Sequence, residues 1–466
     1  MISLGHISED KFKDECGVVG ILNTQPEYNC FDELYYCLYA LQHRGQESAG
    51  IATNEGGRIS LYKERGLVPD VFSSEDVRDR LRGNIGIGHV RYATSGGGGT
   101  TNAQPLIVNY RNSQIALAHN GNLVNAGALR DMLEDSGVVF QTTIDTEVIV
   151  NLIARSLKNG IVESIKRVSE IIRGAYALVI TTEDKLIGLR DPYGMRPLCL
   201  GKTEHGCVLA SETCALDAVG ARYERDIEHG EIVVIDKDGV QSYKQNTWVK
   251  KKLCIFELIY FARPDSRIDG ISVYQARHNA GRTLAKECPA EADVVIGVPD
   301  SGVPAAIGFA KESGIPYEIG LIKNKYIGRT FIQPNHRLRE QGVRIKLNVL
   351  KENIEGKRVV IVDDSIVRGT TSKRLVEILK EAGASEVHFR VSSPPVTHGC
   401  HFGIDTPYSD QLIATKLELD DIREMIGADS LGYLSMEGMV NSVGGGNIYC
   451  KACFDGDYPM EIPLND

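Results

Sequence analysis

The chain of 466 residues lacks any apolar run long enough to span a membrane. Its first fifteen residues, MISLGHISEDKFKDE, are charged and lack the hydrophobic segment that secretory signals carry. We therefore expect a cytoplasmic protein whose eleven cysteines, an odd number, do not form a disulfide framework. Internal repeats and low-complexity segments are also missing, so repeat architectures and disordered tracts are excluded as organising features.

The chain has fewer basic residues than acidic ones. The 52 Lys and Arg residues are outnumbered by 62 Asp and Glu residues, which gives a net charge of −10. This balance argues against nucleic acid as a partner. A composition with 42% hydrophobic and 24% charged residues is that of an ordinary globular protein, and the length predicts two domains, or three.

The pattern of predicted elements changes near residue 250. Over residues 16–240, strands and helices come in blocks, which predicts layered α+β packing. From about residue 275, short apolar strands alternate with helices, which predicts a parallel sheet covered on both faces. We therefore predict a leader at 1–15, a first domain at 16–245 and a second domain at 246–466. The elements expected near the candidate sites are strands at 114–118, 293–298, 317–322 and 357–362 and helices at 303–313 and 370–382.

The most specific local pattern is the segment VVIVDDSIVRGTT at 359–371. Four apolar β-branched residues run directly into Asp363 and Asp364, and a loop rich in hydroxyls precedes a helix. Ligands of parallel sheets bind at the carboxyl ends of strands, and a helix N-terminus suits a phosphate. Paired carboxylates suit ribose hydroxyls or Mg²⁺ held with a pyrophosphate. A helix cap at Asp364 would explain one aspartate but not two, and no Gly-Lys-Ser/Thr follows, which excludes a Walker A loop.

This segment resembles the phosphoribosyl pyrophosphate (PRPP) motif of the type I phosphoribosyltransferases. The resemblance implies that Asp363 and Asp364 hold the ribose and a Mg²⁺ ion, and that the loop takes the 5-phosphate through Ser365, Arg368, Gly369, Thr370 and Thr371. The loop at 298–302 resembles the pyrophosphate loop of that family, in which Ser301 would be a further Mg²⁺ contact. The basic segment 323–331 resembles a mobile lid of one branch, with Lys323, Tyr326 and Arg329 as its PRPP-binding residues.

In the first domain, Cys16 stands directly before a predicted strand. Removal of the leader would make Cys16 the N-terminal residue, carrying both a thiol and an α-amine that titrates near pH 8. That amine can accept the proton of the thiol, which gives a nucleophile with its own base. A lone cysteine at such a position is otherwise most simply a buried strand residue.

Three polar motifs give this thiol a substrate. They are GHVRYAT at 88–94, HNGNL at 119–123 and DTE at 145–147. The amide of Gly121 and the side chain of Asn120 can stabilise an oxyanion, Arg91 can clamp an α-carboxylate, and Asp145 can receive an α-ammonium. Together these groups match free glutamine. Singly, each has a structural alternative: an Asn-Gly turn, a helix cap at Asp145, and a surface ion pair at Arg91.

These motifs, with CGVVG at 16–20, resemble the glutaminase domain of the N-terminal-nucleophile amidotransferases. The motif HRGQESAG at 43–50 matches the branch that makes phosphoribosylamine, and the PRPP motif downstream fits the same branch. The implied fold is an α+β layered glutaminase domain followed by an α/β type I phosphoribosyltransferase domain. The implied activity is glutamine-dependent amination of PRPP, the first step of de novo purine synthesis. The family also implies inhibition by purine nucleotides, whose identity the sequence does not give, and a homotetramer.

Four further cysteines could hold a metal: Cys254, Cys400, Cys450 and Cys453. Four thiolates suffice for a tetrahedral zinc or an iron–sulfur cluster, and C-x-x-C alone could also be a redox pair. The residues leave these alternatives open. The resemblance implies a 4Fe–4S cluster, because the cluster-carrying class of this amidotransferase family is also the class with a propeptide. We expect the cluster to be structural.

From the residues alone, two other functions remain. One is a phosphoribosyltransferase for a free base with an inert first domain. The other is a nucleotide-sensing regulatory protein that keeps the PRPP fold without catalysis.

Overall fold

The computed structural model describes residues 16–92, 99–111, 113–245, 249–324, 347–406 and 409–463. The predicted leader at 1–15 and the predicted lid residues Tyr326 and Arg329 lie outside the described residues. Within the described ranges, no helix is long and apolar enough to cross a bilayer.

The first part of the chain forms two antiparallel sheets. One has seven strands, in the spatial order Arg222–Asp226, Cys199–Lys202, Gly206–Ala210, Gly17–Asn23, Ile85–Arg91, Ser48–Glu55 and Arg58–Arg65. The other has six, in the order Gly239–Lys244, Glu231–Asp236, Leu186–Arg190, Gly174–Thr181, Ser113–Leu123 and Leu106–Tyr110. Alternating apolar residues face the partner sheet, so that Val18 and Ala52 of the first sheet share one buried cluster with Ala118 and Val179 of the second.

Helices cover the outer faces of this sandwich. The apolar stripe of helix Phe31–Ala40, which includes Leu34 and Leu38, packs on the seven-stranded sheet, near the shorter helices Val68–Val71, Glu75–Arg80 and Thr213–Ala218. The six-stranded sheet is covered by Ala126–Asp135, Asp145–Ser156 and Ile161–Ile171. The result is a four-layer arrangement of helices, sheet, sheet and helices, which confirms the predicted layered α+β fold.

The second part is built on a four-stranded parallel sheet, in the order Val294–Gly297, Arg358–Asp363, Glu386–Val391 and Ser430–Tyr433. Buried apolar clusters lie on both faces, as the run of β-branched residues in these strands predicts. The longer helices of this part are Val273–Glu287, Val303–Ser313, Thr370–Glu381, Leu419–Ile426 and Met436–Ser442, and the single-turn helices are Lys351–Ile354 and Ala452–Asp455.

Short elements depart from the sequence pattern. The strand predicted at 317–322 is not a sheet member: Tyr317 forms an isolated bridge with Val295, and Leu321–Lys323 pairs instead with Leu347–Val349 as a small antiparallel ribbon. Two further pairs join Arg267–Ile268 to Ile271–Ser272 and Leu253–Cys254 to Tyr449–Cys450. Residues Glu257–Phe261 form a π-helical turn, a rare conformation that occurs frequently at functional sites.

Candidate functional site

Cys16 lies at the rim of the seven-stranded sheet. It precedes strand Gly17–Asn23, which runs between strands Ile85–Arg91 and Gly206–Ala210 in the middle of that sheet. The thiol is buried, with its Sγ 3.7 Å from the carbonyl oxygen of Tyr92. The carbonyl oxygen of Cys16 accepts a hydrogen bond of 3.0 Å from Nε of Arg44. The predicted nucleophile is therefore fixed through its backbone by a buried guanidinium.

Arg44 belongs to a buried charge cluster below the nucleophile. Its guanidinium contacts Glu212 at 2.6 Å and Glu257 at 2.9 and 2.7 Å, and all three side chains are almost fully buried. Burial raises the pKa of Glu212, but the charges of His43 and Arg44 outweigh it and hold that pKa well below its usual range. The motif at 43–50 contains Arg44, but no role for this residue could be predicted from the sequence, because its carboxylate partners lie 168 and 213 residues away.

The motif HNGNL lies inside a strand and not after one. Strand Ser113–Leu123 continues through the motif, five residues beyond the predicted end at 118, and pairs with Gly174–Thr181. The Asn-Gly turn is thus excluded. Gly121 adopts φ +146°, and a Cβ there would collide with the carbonyl of Ala175, so the position requires glycine. Asn120 is 1% exposed and its Nδ2 has no hydrogen-bond partner among the described residues, which leaves a buried donor for an oxyanion.

Arg91 and Asp145 are also buried. Arg91 is 3% exposed and its guanidinium is 3.4 Å from Glu47, so it is not a surface ion pair. Asp145 is the first residue of helix Asp145–Ser156 and not its cap. Its carboxylate accepts the amide of Leu123 at 2.9 Å and is 3.4 Å from Nδ1 of His119. Burial raises the pKa of Asp145, but His119 and the backbone amides outweigh it and lower that pKa.

The two sheets are linked at this rim. Nε2 of His89, on the strand that ends at Arg91, is 3.0 Å from the carbonyl oxygen of His119, which directly precedes Asn120. The strand that follows Cys16 also packs across Ser113–Leu123. The fold thereby gathers a thiol, an unpartnered amide donor, a guanidinium and a carboxylate at one end of the sandwich. His119 belongs to the motif HNGNL, but no role for it was predicted from the sequence.

The paired aspartates lie at the carboxyl end of a central parallel strand. Asp363 ends strand Arg358–Asp363, and both aspartates are 1% exposed. Oδ1 of Asp363 accepts the amide of Asp364 at 2.9 Å. The carboxylate of Asp364 accepts the hydroxyl of Ser365 at 2.7 Å and, from the neighbouring loop, the hydroxyl of Ser301. The three residues predicted to contact Mg²⁺ are therefore brought together, and their oxygen donors suit that ion.

The loop that is predicted to bind the 5-phosphate joins this strand to helix Thr370–Glu381. Gly369 is the N-cap residue and adopts φ +82°, a left-handed conformation that favours glycine, so the structural alternative of a helix cap at Asp364 is excluded. Arg368 contacts Gln411 at 2.8 Å, and the hydroxyls of Thr370 and Thr371 stand at the helix N-terminus. This geometry suits an anion. Of the predicted lid, Lys323 is described, and it pairs with Asp300 at 2.6 Å.

Four thiols line one pocket between the two parts of the chain. Cys254 and Cys450 are opposite each other on the paired strands Leu253–Cys254 and Tyr449–Cys450, and Cys400 and Cys453 complete the set. Burial raises the pKa of Cys450 to about 12, and the neighbouring thiol of Cys400 adds to that effect. Thiols in such surroundings stay protonated unless a cation replaces the protons.

The chemistry of the pocket fits a thiolate-bound group, but its geometry is not that of a single-ion site. In the described part of the chain, no three His, Cys, Asp or Glu side chains are gathered closely enough to hold a metal ion. The four predicted ligands do share one pocket, with Met195, Phe402 and Tyr458 around them.

Comparison with known proteins gives the same two-part organisation. Residues 89–218 match the family model of a glutamine amidotransferase domain, and residues 271–393 match that of a phosphoribosyl transferase domain. The boundaries of the predicted domains at 16–245 and 246–466 stay predictions, because these matches cover only part of each.

Relatives that match nearly the whole chain include amidophosphoribosyltransferases. The amidophosphoribosyltransferase of Bacillus subtilis is 50% identical over 96% of this chain and 95% of its own length. That of Archaeoglobus fulgidus is 49% identical over 96% and 98%. A solved structure described as the allosteric regulatory enzyme of purine biosynthesis is 50% identical, covers 97% of each chain and has a TM-score of 0.91. The glutamine PRPP amidotransferase of B. subtilis, solved with ADP and GMP, gives the same identity and TM-score over 97% of this chain and 98% of its own.

Proposed function

Because the chain belongs to the amidophosphoribosyltransferase family, we propose that its two domains divide the family reaction between Cys16 and the Asp363–Asp364 pair. The chain is an enzyme of purine biosynthesis that transfers the amide nitrogen of glutamine to PRPP. This activity replaces the two alternatives left by the residues, the transferase for a free base and the non-catalytic regulator. The residue roles below are our proposals.

In the first half-reaction, the thiolate of Cys16 attacks the side-chain amide carbon of glutamine. Asn120 Nδ2 and the amide of Gly121 stabilise the tetrahedral oxyanion, while Arg91 and Asp145 hold the α-carboxylate and α-ammonium. The free α-amine of Cys16 takes the proton of the thiol and passes it to the amide nitrogen. Collapse of the tetrahedral species then breaks the C–N bond, releases ammonia and leaves a thioester, which water hydrolyses to glutamate. The observation that carries this proposal is the unpartnered, buried Nδ2 of Asn120 at the rim that holds Cys16.

In the second half-reaction, ammonia forms a bond to C1 of PRPP as the bond from C1 to the pyrophosphate oxygen breaks. The products are 5-phosphoribosylamine and pyrophosphate, and a proton is lost from nitrogen. Asp363 and Asp364 orient the ribose, and residues 365–371 hold the 5-phosphate at the start of helix Thr370–Glu381. Lys323, with Tyr326 and Arg329, covers the pyrophosphate and excludes water.

Two inorganic groups are part of the proposal. Mg²⁺ would be held by Ser301, Asp363 and Asp364, where it supplies charge neutralisation for the leaving pyrophosphate. A 4Fe–4S cluster would be held by Cys254, Cys400, Cys450 and Cys453. There it would join the C-terminal segment to the junction of the two predicted domains, near Cys254. Four thiols on one pocket support the second assignment. Protein purified without oxygen should contain iron and be brown, whereas colourless protein with stoichiometric zinc would refute the cluster.

Four finer properties are proposed with these assignments. The leader 1–15 is removed, because the α-amine of Cys16 is the base of the reaction only when it is free. The enzyme is a cytoplasmic homotetramer. Purine nucleotides inhibit it, a proposal supported by the relative solved with ADP and GMP. Intact-mass measurement of the purified protein tests the first property directly.

The decisive experiment is Cys16→Ala, assayed with glutamine and with ammonia as nitrogen donors. We expect glutamine-dependent activity to be lost and ammonia-dependent activity to remain, because the PRPP site is untouched. Loss of both activities in a folded variant, or survival of glutamine-dependent activity, would contradict the proposed division.

A further inference from the structure

The buried charge cluster below Cys16 contains a residue from the other part of the chain. Glu257, which is fully buried, contacts Arg44 through both carboxylate oxygens, at 2.9 and 2.7 Å. It begins the π-helical turn Glu257–Phe261, three residues after Cys254. The guanidinium that fixes the carbonyl of Cys16 is therefore held from the side of the phosphoribosyltransferase domain.

The same carboxylate connects to the cysteine pocket. Glu257 is also 3.6 Å from the guanidinium of Arg196, which lines that pocket. Arg196 donates a hydrogen bond to the carbonyl of Phe402, and the amide of Phe402 donates to Sγ of Cys400 at 3.3 Å. A continuous set of contacts thus runs from the partly buried Cys400 to the backbone of Cys16.

A second contact reaches the oxyanion donors from the same segment. Gly403 adopts φ +111°, and a Cβ there would lie 3.1 Å from the backbone carbon of Gly121 and 2.8 Å from the guanidinium of Arg196. Beside it, the carbonyl of His401 accepts a hydrogen bond of 3.0 Å from Asn122. Residues 401–403 therefore pack directly against the strand that presents Asn120 and Gly121.

We propose that the phosphoribosyltransferase side of the chain completes the glutaminase centre, with Glu257 positioning Cys16 through Arg44 and residues 401–403 supporting Gly121. Glu257 touches no substrate and is a positioning residue. The inference rests on the proposed role of Cys16 as nucleophile.

Charge explains why Glu257 matters. Two buried guanidinium groups, Arg44 and Arg196, face two buried carboxylates, Glu212 and Glu257. An unbalanced charge in such surroundings rearranges its neighbours, because desolvated ions need their partners. Without the charge of Glu257, Arg44 loses one of its carboxylate partners, and the donor to the carbonyl of Cys16 is no longer fixed in place. The thiol is then displaced from the position in which it attacks the amide carbon. This misplacement lowers kcat more than it raises KM.

The test is Glu257→Gln, which keeps the shape of the side chain and removes its charge. We expect the glutamine-dependent kcat to fall about tenfold or more, the KM for glutamine to change less than about threefold, and the ammonia-dependent rate to stay within about twofold. Alkylation of Cys16 by a glutamine-like chloroketone should slow in parallel, and this is read by peptide mass without turnover.

The matched control is Asp269→Asn. Asp269 is a buried carboxylate of the same part of the chain that pairs with a first-domain arginine, Arg190, at 2.7 Å, but it does not contact Arg44. We expect its variant to keep the wild-type ratio of glutamine-dependent to ammonia-dependent rates. An equal change of that ratio in both variants, or no change in Glu257→Gln, would overturn the proposal.

Gly403→Ala keeps the proposal testable where Glu257→Gln fails to fold. The added methyl pushes against the backbone of Gly121, and we expect the same selective loss of glutamine-dependent kcat. A folded Gly403→Ala with wild-type glutamine-dependent kcat would contradict the support assigned to residues 401–403. Failure of the proposed function itself gives a different result, namely glutamine-dependent activity that survives Cys16→Ala.

Discussion

The two candidate centres are built in opposite ways. The PRPP site is largely local: a strand end, a loop and a helix N-terminus lie within residues 359–371, and neighbouring segments contribute Ser301 and the proposed lid residue Lys323. The glutaminase centre is dispersed: its groups come from both sheets, and Glu257 supports it from the second domain. A local site depends on its own segment, whereas a dispersed site depends on how the layers meet. Substitutions should separate the two.

The largest effect is expected at the local site. Asp364→Asn should lower both glutamine-dependent and ammonia-dependent activity by about a thousandfold or more, because the variant removes a charge from the centre that both reactions share. Steady-state rates with each nitrogen donor measure this. The control is Asp293→Asn, an exposed carboxylate at the opposite end of the neighbouring strand, which pairs with Arg358. Its activities should be unchanged, and a selective loss with glutamine alone in Asp364→Asn would contradict the shared site.

A smaller and selective effect is expected at the dispersed site. Asn120→Ala removes one oxyanion donor, which in other acyl-transfer enzymes costs about a hundredfold to a thousandfold in kcat. We expect that loss with glutamine and none with ammonia. Asn109→Ala, on the adjacent strand with an exposed side chain, is the control. Equal loss with both donors in Asn120→Ala would place this residue outside the glutaminase centre.

Gly369→Ala should weaken PRPP binding by about tenfold. The residue adopts φ +82°, a conformation that costs other residues about 1–2 kcal/mol, and the added methyl would also meet Met425. The KM for PRPP should rise equally with either nitrogen donor. Gly383→Ala is a strained control at φ +95° after the other end of that helix, and it should lower stability without raising this KM.

The smallest effect on activity is expected from the buried ion pair between Asp269 and Arg190, which joins the two parts of the chain. Burial raises the pKa of Asp269, but Arg190 and Lys251 outweigh it and lower that pKa to about 2. Because the folded pKa lies below the unfolded one, the pair stabilises the folded state above about pH 4 and loses that effect as the pH falls towards 2. Asp269→Asn should therefore cost about 2 kcal/mol at pH 7 and progressively less below pH 4. Denaturant unfolding at pH 7 and pH 3 measures this, and an equal cost at both would contradict the assigned cause.

The two sites also differ in how far the sequence predicts them. For the PRPP site, the strand, the loop and the helix were predicted nearly to the residue, because the β-branched run and the glycine act locally. For the glutaminase centre, the motifs were identified from the sequence, but the elements in which they lie were not all predicted correctly. The motif HNGNL was expected after a strand and lies within one, because pairing with Gly174–Thr181 outweighs the turn preference of Asn-Gly. The strand expected at 317–322 instead contributes to a separate ribbon.

By itself the sequence determined the chemistry of this protein. The apolar periodicities predicted the layers, and the contiguous DD and HNG motifs indicated the residues that we propose to bind a ribose phosphate and an amide. Only the tertiary structure decided which charges support them. Arg44, Glu212 and Glu257 are far apart in the chain, and they meet only where the packed layers remove water, so that each buried charge needs protein partners in its place. The same packing brings Cys254, Cys400, Cys450 and Cys453 to one pocket, a meeting that no local pattern encodes.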